Sequence, residues 1–129
     1  MPINPNDMFF DKEGNQLKMI EWANLFESWD YRNLHQTVHT WDNKIMSVST
    51  VWLGLSHGED ERGRPLIFES AVEKNGEFQV AARYATAEEA VDGHRAICME
   101  YRIPFDPIPP VKQFHQLRFD SHNRWKDLG

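Results

Sequence analysis

The sequence predicts an α+β fold: a four-stranded antiparallel sheet of two hairpins, with an N-terminal and a C-terminal helix packed on it and an extended C-terminal tail. Asn75-Gly76, between two strand-like runs, is the strongest short hairpin signal in the chain. Asp42-Asn43 separates a second pair of such runs. Helical periodicity precedes the first hairpin and follows the second. Because consecutive hairpins usually share a sheet, the four strands are expected to be neighbours.

The first predicted element is a turn followed by a helix. Residues 11–15, Asp-Lys-Glu-Gly-Asn, have turn chemistry because Gly and Asn tolerate positive φ. The spacing then predicts a helix over residues 17–28. Its apolar residues recur every three or four positions on one face: Met19, Trp22, Ala23 and Phe26.

Four strands are predicted next, over residues 34–41, 44–53, 66–72 and 77–84. The second is rich in β-branched and aromatic residues and partly apolar on both faces, which is typical of a central strand. Between the hairpins, residues 57–64 form a glycine-containing charged loop.

A capping box marks the second helix. Thr86 can accept a hydrogen bond from the first turn while Glu89 reaches back to the cap. The helix is expected over residues 87–102 and is ended by Pro104. Gly93 would permit a close approach to the sheet. The predicted inward face consists of Ala90, Val91, His94, Ile97, Cys98 and Tyr101.

Domain organisation follows from the proline-rich stretch after this helix. Four prolines within residues 104–110 predict a stiff connector, so residues 1–103 form the core domain and 104–129 the connector and tail. The tail is either a strap on the body or a partner-binding segment. Its candidate partner-binding residues are Phe114, Leu117, Phe119 and Trp125.

Composition narrows the classes of function. The 129 residues include 40% hydrophobic residues, enough for one domain with a real core. The net charge of −6 argues against nucleic acid as the main partner. Residues 111–129 carry a net charge of +2, which leaves −8 for the rest. No signal peptide or membrane-spanning run is visible, so the expected location is the cytoplasm.

Three residues are candidates for a shared acid–base site: His57 after the second strand, Glu69 within the third, and His94 on the apolar helix face. A carboxylate beside an imidazole could transfer protons. The alternative is that His94 is a core histidine and Glu69 its structural partner, since a buried carboxylate needs one.

Other clusters point more weakly to chemistry. His35 and His39 would share a strand face, but two adjacent strand positions lack a third metal ligand. Glu59, Asp60 and Glu61 lack the alternation of a calcium loop, so a solvated turn is expected. Cys98, the single cysteine, is expected to be a small buried hydrophobe. No cofactor and no metal site is predicted.

Several segments together resemble a family of small phage and bacterial proteins. They include Ile20-Glu-Trp22-Ala, Val48-Ser-Thr-Val-Trp-Leu-Gly-Leu with His57, Pro65-Leu-Ile-Phe-Glu69, and Gly93-His94. The resemblance covers most of residues 9–102. In this family the strand often reads Leu-Asp-His and the next Phe-Glu-Thr, whereas here Ser56 and Ser70 stand in those places. It implies a phage or prophage origin and no particular reaction.

The expected function is therefore that of a small phage-type accessory protein that binds and modulates another protein, such as host machinery or a defence system. One alternative is a metal-dependent or acid–base enzyme that uses His57, Glu69 and His94. Another is a virion component. The absence of common catalytic motifs favours binding over catalysis.

Overall fold

The computed structural model describes residues 8–104, together with the backbone of 117–119 and 125–127. The elements in chain order are α1 (Met19–Phe26), α2 (Trp29–Arg32), β1 (Asn33–Trp41), β2 (Lys44–Trp52), β3 (Phe68–Lys74), β4 (Glu77–Tyr84), α3 (Ala87–Glu100), β5 (Leu117–Phe119) and β6 (Trp125–Asp127). The predicted α+β fold is confirmed: β1 to β4 form one antiparallel sheet in the order β1-β2-β3-β4.

Both hairpins turn where the sequence predicted. Asp42 and Asn43 have φ of 46° and 62°, and Asn75 and Gly76 have φ of 51° and 89°. Successive left-handed residues match the twist of the strands that they join. The prediction that β2 is a central strand is also confirmed, since it lies between β1 and β3.

The C-terminal helix begins at the predicted cap. The Thr86 hydroxyl accepts from the Glu89 N–H at 3.1 Å. The Glu89 carboxylate accepts from the Thr86 hydroxyl and from the Arg64 guanidinium, at 3.2 and 2.6 Å, and so ties the β2–β3 loop to the helix. The helix ends at Glu100, two residues earlier than predicted, because Arg102 is left-handed with φ of 56°.

The N-terminal helical region differs from the prediction of one helix over residues 17–28. The first helix ends at Phe26, and Ser28 caps a separate turn, α2, by accepting from the Tyr31 N–H at 3.2 Å. A serine inside a predicted helix is thus the cap of the next one, as expected from its competing backbone hydrogen bonds.

Tryptophans fix the N-terminal segment to the end of the sheet. The Trp22 indole donates to the Leu53 carbonyl at 2.8 Å, and the Trp52 indole donates to the Phe10 carbonyl at 3.0 Å. Gly54, with φ of 71°, lies against both indoles, where a Cβ would collide. Phe26 and Tyr31 add ring contacts to Trp52.

Both long helices lie on the same face of the sheet. The β2 residues of even number, from Met46 to Trp52, point toward them and are buried. Gly93 brings α3 against the Tyr84 ring, as the sequence predicted. Of the predicted inward face of α3, only Tyr101 is exposed. The two core clusters are centred on Trp52 and Phe68, and on Met46, Val48, Val72, Ile97 and Ile103.

The tail is described only as a short hairpin. Strand β5 pairs with β6 so that Leu117 faces Asp127 and Phe119 faces Trp125. Phe114 and the proline connector beyond Pro104 lie outside the described residues, and the division at residue 103 stays a prediction.

The cap gives a test of the fold. Replacing Thr86 with Ala should lower the free energy of unfolding by about 1 kcal/mol, because an N–H of the first turn loses its acceptor. Chemical denaturation measures the change. Thr86→Ser keeps the hydroxyl and should leave the midpoint close to wild type; equal midpoints for the Ala and Ser variants would contradict this role of the cap.

Candidate functional site

A chain of polar side chains, buried except for the half-buried Tyr84, links α3 to all four strands of the sheet. Tyr84 of β4 donates to Ser70 of β3 at 3.0 Å, and Ser70 lies 2.5 Å from Thr50 of β2. The Thr50 hydroxyl meets Nδ1 of His94 at 2.7 Å, and the Thr37 hydroxyl of β1 meets Nε2 at 2.9 Å. We call these five residues the hydroxyl–imidazole chain.

One set of directions satisfies every member of the chain. Tyr84 donates to Ser70, Ser70 can then donate to Thr50, and Thr50 to Nδ1 of His94. In this assignment the neutral imidazole carries its proton on Nε2 and donates it to Thr37. Both ring nitrogens are satisfied.

His94 is held in its neutral form. Its side chain is fully buried, and burial, followed by the neighbouring His35 and Arg95, lowers its pKa to about 3. The His35 ring contacts it edge-on, with centroids 4.9 Å apart. The carboxylate that would stabilise an imidazolium is missing from its hydrogen-bond partners, which are hydroxyls.

The structure does not bring the three candidates for an acid–base site together. His94 faces the sheet as predicted. Glu69, however, neighbours the inward Ser70 along β3, so it points to the opposite face and pairs with Arg83 at 3.2 Å. His57 lies in the β2–β3 loop with an exposed side chain. The structural partners of His94 are hydroxyls, and Glu69 is not one of them.

The weaker candidates have structural roles. Asp60 accepts hydrogen bonds from the Arg64 and Arg62 N–H groups, both at 2.9 Å, and these bonds shape the acidic loop. They also lower the pKa of the Asp60 carboxyl. His39 stacks on Trp41 with centroids 5.2 Å apart. Cys98 is buried, as predicted, and burial raises the pKa of its thiol.

Two absences concern the described part of the chain. Within residues 8–104, no group of three His, Cys, Asp or Glu side chains is placed to hold a metal ion. Nor does any described helix have the length and hydrophobicity to cross a bilayer.

Sequence reasoning missed the four hydroxyl residues of the chain. Ser and Thr in a strand carry no site signal of their own. Period-two alternation was the available clue: Phe68 and Val72 are apolar while Glu69 and Glu73 are charged, so Ser70 shares the inward parity. The same parity places Glu69 outward.

A second candidate site is the sheet face opposite the helices. Large apolar side chains are exposed there: Val38 of β1 (54%), Ile45 of β2 (50%), and Phe78 and Val80 of β4 (66% and 38%). The register places Ser47 and Glu73 between Val38 and Phe78 in one row across the sheet. We call this surface the open face. No described helix or loop covers these four apolar residues.

Glu73 is exposed at the centre of the open face, and Glu69 on the same face is paired with Arg83. Two carboxylates and one guanidinium leave a net charge of −1. An apolar surface with acidic groups fits a partner of complementary character. In the hydroxyl–imidazole chain, by contrast, four of the five residues are buried and Tyr84 is half-buried.

Comparisons with known proteins found no match to any family model, to any curated protein or to any solved structure. The resemblance to small phage proteins therefore stays a prediction.

The hydroxyl–imidazole chain can be tested by removing one hydroxyl. Thr50→Val should lower the free energy of unfolding by about 1–3 kcal/mol, because Nδ1 of His94 and the Ser70 hydroxyl are left buried with a lost partner. Denaturant titration measures it. Thr40→Val, the same change at an exposed position of β1, should shift stability by less than about 0.5 kcal/mol. Equal effects at the two sites would contradict the proposed role.

Neutral burial of His94 predicts a pH dependence of stability. An unfolded histidine takes up a proton below pH ~6.5, whereas folded His94, with its pKa of about 3, does not. The contribution of neutral His94 to the free energy of unfolding is therefore fully present above pH ~6.5. It is lost as the pH falls toward 3, and the loss is a few kcal/mol at most.

Denaturation midpoints between pH 7 and 4 measure this loss. His94→Gln, which cannot titrate, should show a shallower decline than wild type, because only the remaining groups contribute. The control Thr40→Val removes no titratable group and should keep the wild-type slope. A His94→Gln slope as steep as wild type would exclude this origin of the acid sensitivity.

Proposed function

We propose that this protein is a small accessory protein that binds and modulates another protein, and that it does so through the open face. The observation that carries the proposal is the exposure of Val38, Ile45, Phe78 and Val80 on a sheet face that no described element covers. Large exposed apolar side chains gathered on one face of a sheet, with polar residues between them, are typical of interaction sites in folded domains.

The fold supplies a rigid platform for such contacts. β2 and β3, which run through the middle of the open face, are anchored from the other side by the hydroxyl–imidazole chain and the apolar core. Side chains held on a sheet lose little conformational freedom on binding, which favours affinity. Phe78, the aromatic residue among the four, is the expected main anchor.

The chemistry of the open face indicates what kind of surface its partner presents. Glu73 adds negative charge to the open face of a protein whose net charge is −6, while Glu69 is paired with Arg83. A complementary partner presents apolar side chains bordered by Lys or Arg, because opposite charges steer association and exclude acidic competitors. The same charge disfavours a nucleic-acid backbone.

The resemblance to small phage proteins suggests where that partner acts. A phage accessory protein of this size would bind host machinery, including defence systems, inside a bacterial cell. The open face supports binding but gives no preference among such targets. We favour binding over the enzyme alternative because Glu69 and His94 lie on opposite faces of the sheet.

A matched pair of variants tests the proposal. Phe78 and Ile20 are equally exposed at 66%, but Phe78 lies on the open face and Ile20 on α1. Phe78→Asp should weaken a specific partner by about tenfold or more, because it puts a charge at an apolar anchor. The measurement is quantitative affinity capture from bacterial lysate, followed by titration of the captured protein against each variant.

Ile20→Asp should bind that protein with wild-type affinity, and both variants should keep the thermal transition of the folded protein. A partner that is lost equally with the two substitutions, or with neither, would show that the open face is not the binding surface.

A further inference from the structure

The two outer strands of the sheet differ in how their free edges are protected. β1 and β4 are the outer strands, and among the described residues β1 pairs only with β2. Edge strands in folded proteins normally carry charges, prolines or bulges that keep a further strand from pairing with them. β4 has the charged residues Glu77 and Arg83, and a bulge at Ala81 interrupts its register with β3.

Residues 35–41 of β1 have none of these protective features. The segment reads His-Gln-Thr-Val-His-Thr-Trp, without Asp, Glu, Lys, Arg, Pro or Gly, and its register with β2 is regular. Thr, Val and Trp are among the residues most often found in strands. Gln36, Val38 and Thr40 are exposed. We call residues 35–41 the bare edge, because they form a regular strand that is open to pairing.

The unused backbone groups of the bare edge follow from the hydrogen bonds of β2. The Ile45 carbonyl accepts from the Asn75 N–H at 3.0 Å and the Ile45 N–H donates to the Asn75 side chain at 3.3 Å, so both backbone groups of Ile45 point toward β3. Hydrogen-bonded and non-hydrogen-bonded positions alternate along an antiparallel pair. Thr40, opposite Ile45, is therefore non-hydrogen-bonded, and so are Val38 and Gln36. Their N–H and C=O groups point away from β2.

We propose that two copies of this chain pair through their bare edges, antiparallel about a two-fold axis at Val38, and so form one eight-stranded sheet. This axis sets Val38 opposite Val38 of the second copy and Gln36 opposite Thr40 of the second copy. These pairs use all the outward N–H and C=O groups of the three residues and give about six hydrogen bonds. An axis one residue before or after Val38 would place one of the three opposite the irregular start of β1 or opposite the hairpin turn, and would form fewer bonds.

The chemistry of the bare edge favours a second copy as its occupant. About the axis at Val38, the valine meets a valine, Gln36 meets Thr40, and Thr37 meets His39, so apolar and polar side chains each face their own kind. The net charge of −6 opposes the approach of two copies, but residues 35–41 contribute nothing to it. The edge is narrow, and the pairing therefore belongs to the small, reversible class of interfaces.

Sedimentation velocity of the full-length chain over a concentration series tests the inference. Wild type should shift reversibly from monomer to dimer as its concentration rises. Val38→Lys should weaken dimerisation about fivefold or more, because the axis brings two like charges directly opposite each other. The substitution reduces the magnitude of the net charge, which is −6 in wild type, so overall repulsion cannot explain the loss.

The matched control is Val80→Lys, the same change on the other edge strand, which should dimerise like wild type. A dimer formed face to face through the two open faces would instead respond to both substitutions, since Val38 and Val80 both lie there.

A mixture of two variants tests the position of the axis. Val38→Lys and Val38→Glu should each stay monomeric where wild type dimerises, and they should dimerise with each other when mixed, because opposite charges then face across the axis. Recovery on mixing also shows that both variants are folded.

Several outcomes would overturn the inference: a wild type that is monomeric at every concentration, dimers that survive Val38→Lys, or a mixture of the two variants that stays monomeric. Oligomers that grow beyond the dimer would overturn it as well, because they would show β1 pairing with β4 of the next copy, a contact that does not close.

The inference goes beyond the proposed function and does not depend on it, because the bare edge pairs through backbone groups whereas the open face binds through side chains. Phe78→Asp should therefore weaken partner binding and leave dimerisation unchanged. Loss of either result leaves the other proposal standing.

Discussion

The structure depends on keeping one buried histidine neutral and fully hydrogen-bonded. His94 comes from the only long helix that lies across the sheet, among the described residues, and both of its ring nitrogens bond to strand hydroxyls. A buried ring nitrogen without a hydrogen-bond partner would destabilise the fold by about as much as several favourable contacts stabilise it. The hydroxyl–imidazole chain therefore fixes the rotation of α3 and the register of its partner strands together, since a shift of either would leave the ring without partners.

This arrangement leaves the fold one-sided. Trp22 and Trp52 hold the N-terminal segment at the end of the same sheet face that α3 covers, so every described helix lies on one side. The opposite face must either meet solvent or be covered from elsewhere. Its polar residues suit solvent, but Phe78 and Ile45 do not, and this mixture is why we assign binding to that face.

The sequence predicted the elements better than it predicted the site. Asn75-Gly76 and the Thr86 cap act through neighbouring residues, so local chemistry was enough to place them. The inward direction of His94 followed from helical periodicity. Its partners did not, because they depend on which strands align, and hydroxyl residues in strands are equally typical of exposed faces. Ser28 was missed as a cap because it continued an apparently unbroken helical run.

Strand alternation alone could have shown that Glu69 and His94 lie on opposite faces of the sheet. A carboxylate near a buried histidine suggested an acid–base pair, yet the next residue along the strand is the one that faces the helix. With Glu69 on the outer surface, the same residue pairs with Arg83 on the open face instead of lying beside His94. The side of the sheet on which one strand residue lies thus removes Glu69 from the predicted acid–base site, and our proposal of protein recognition rests on the open face instead.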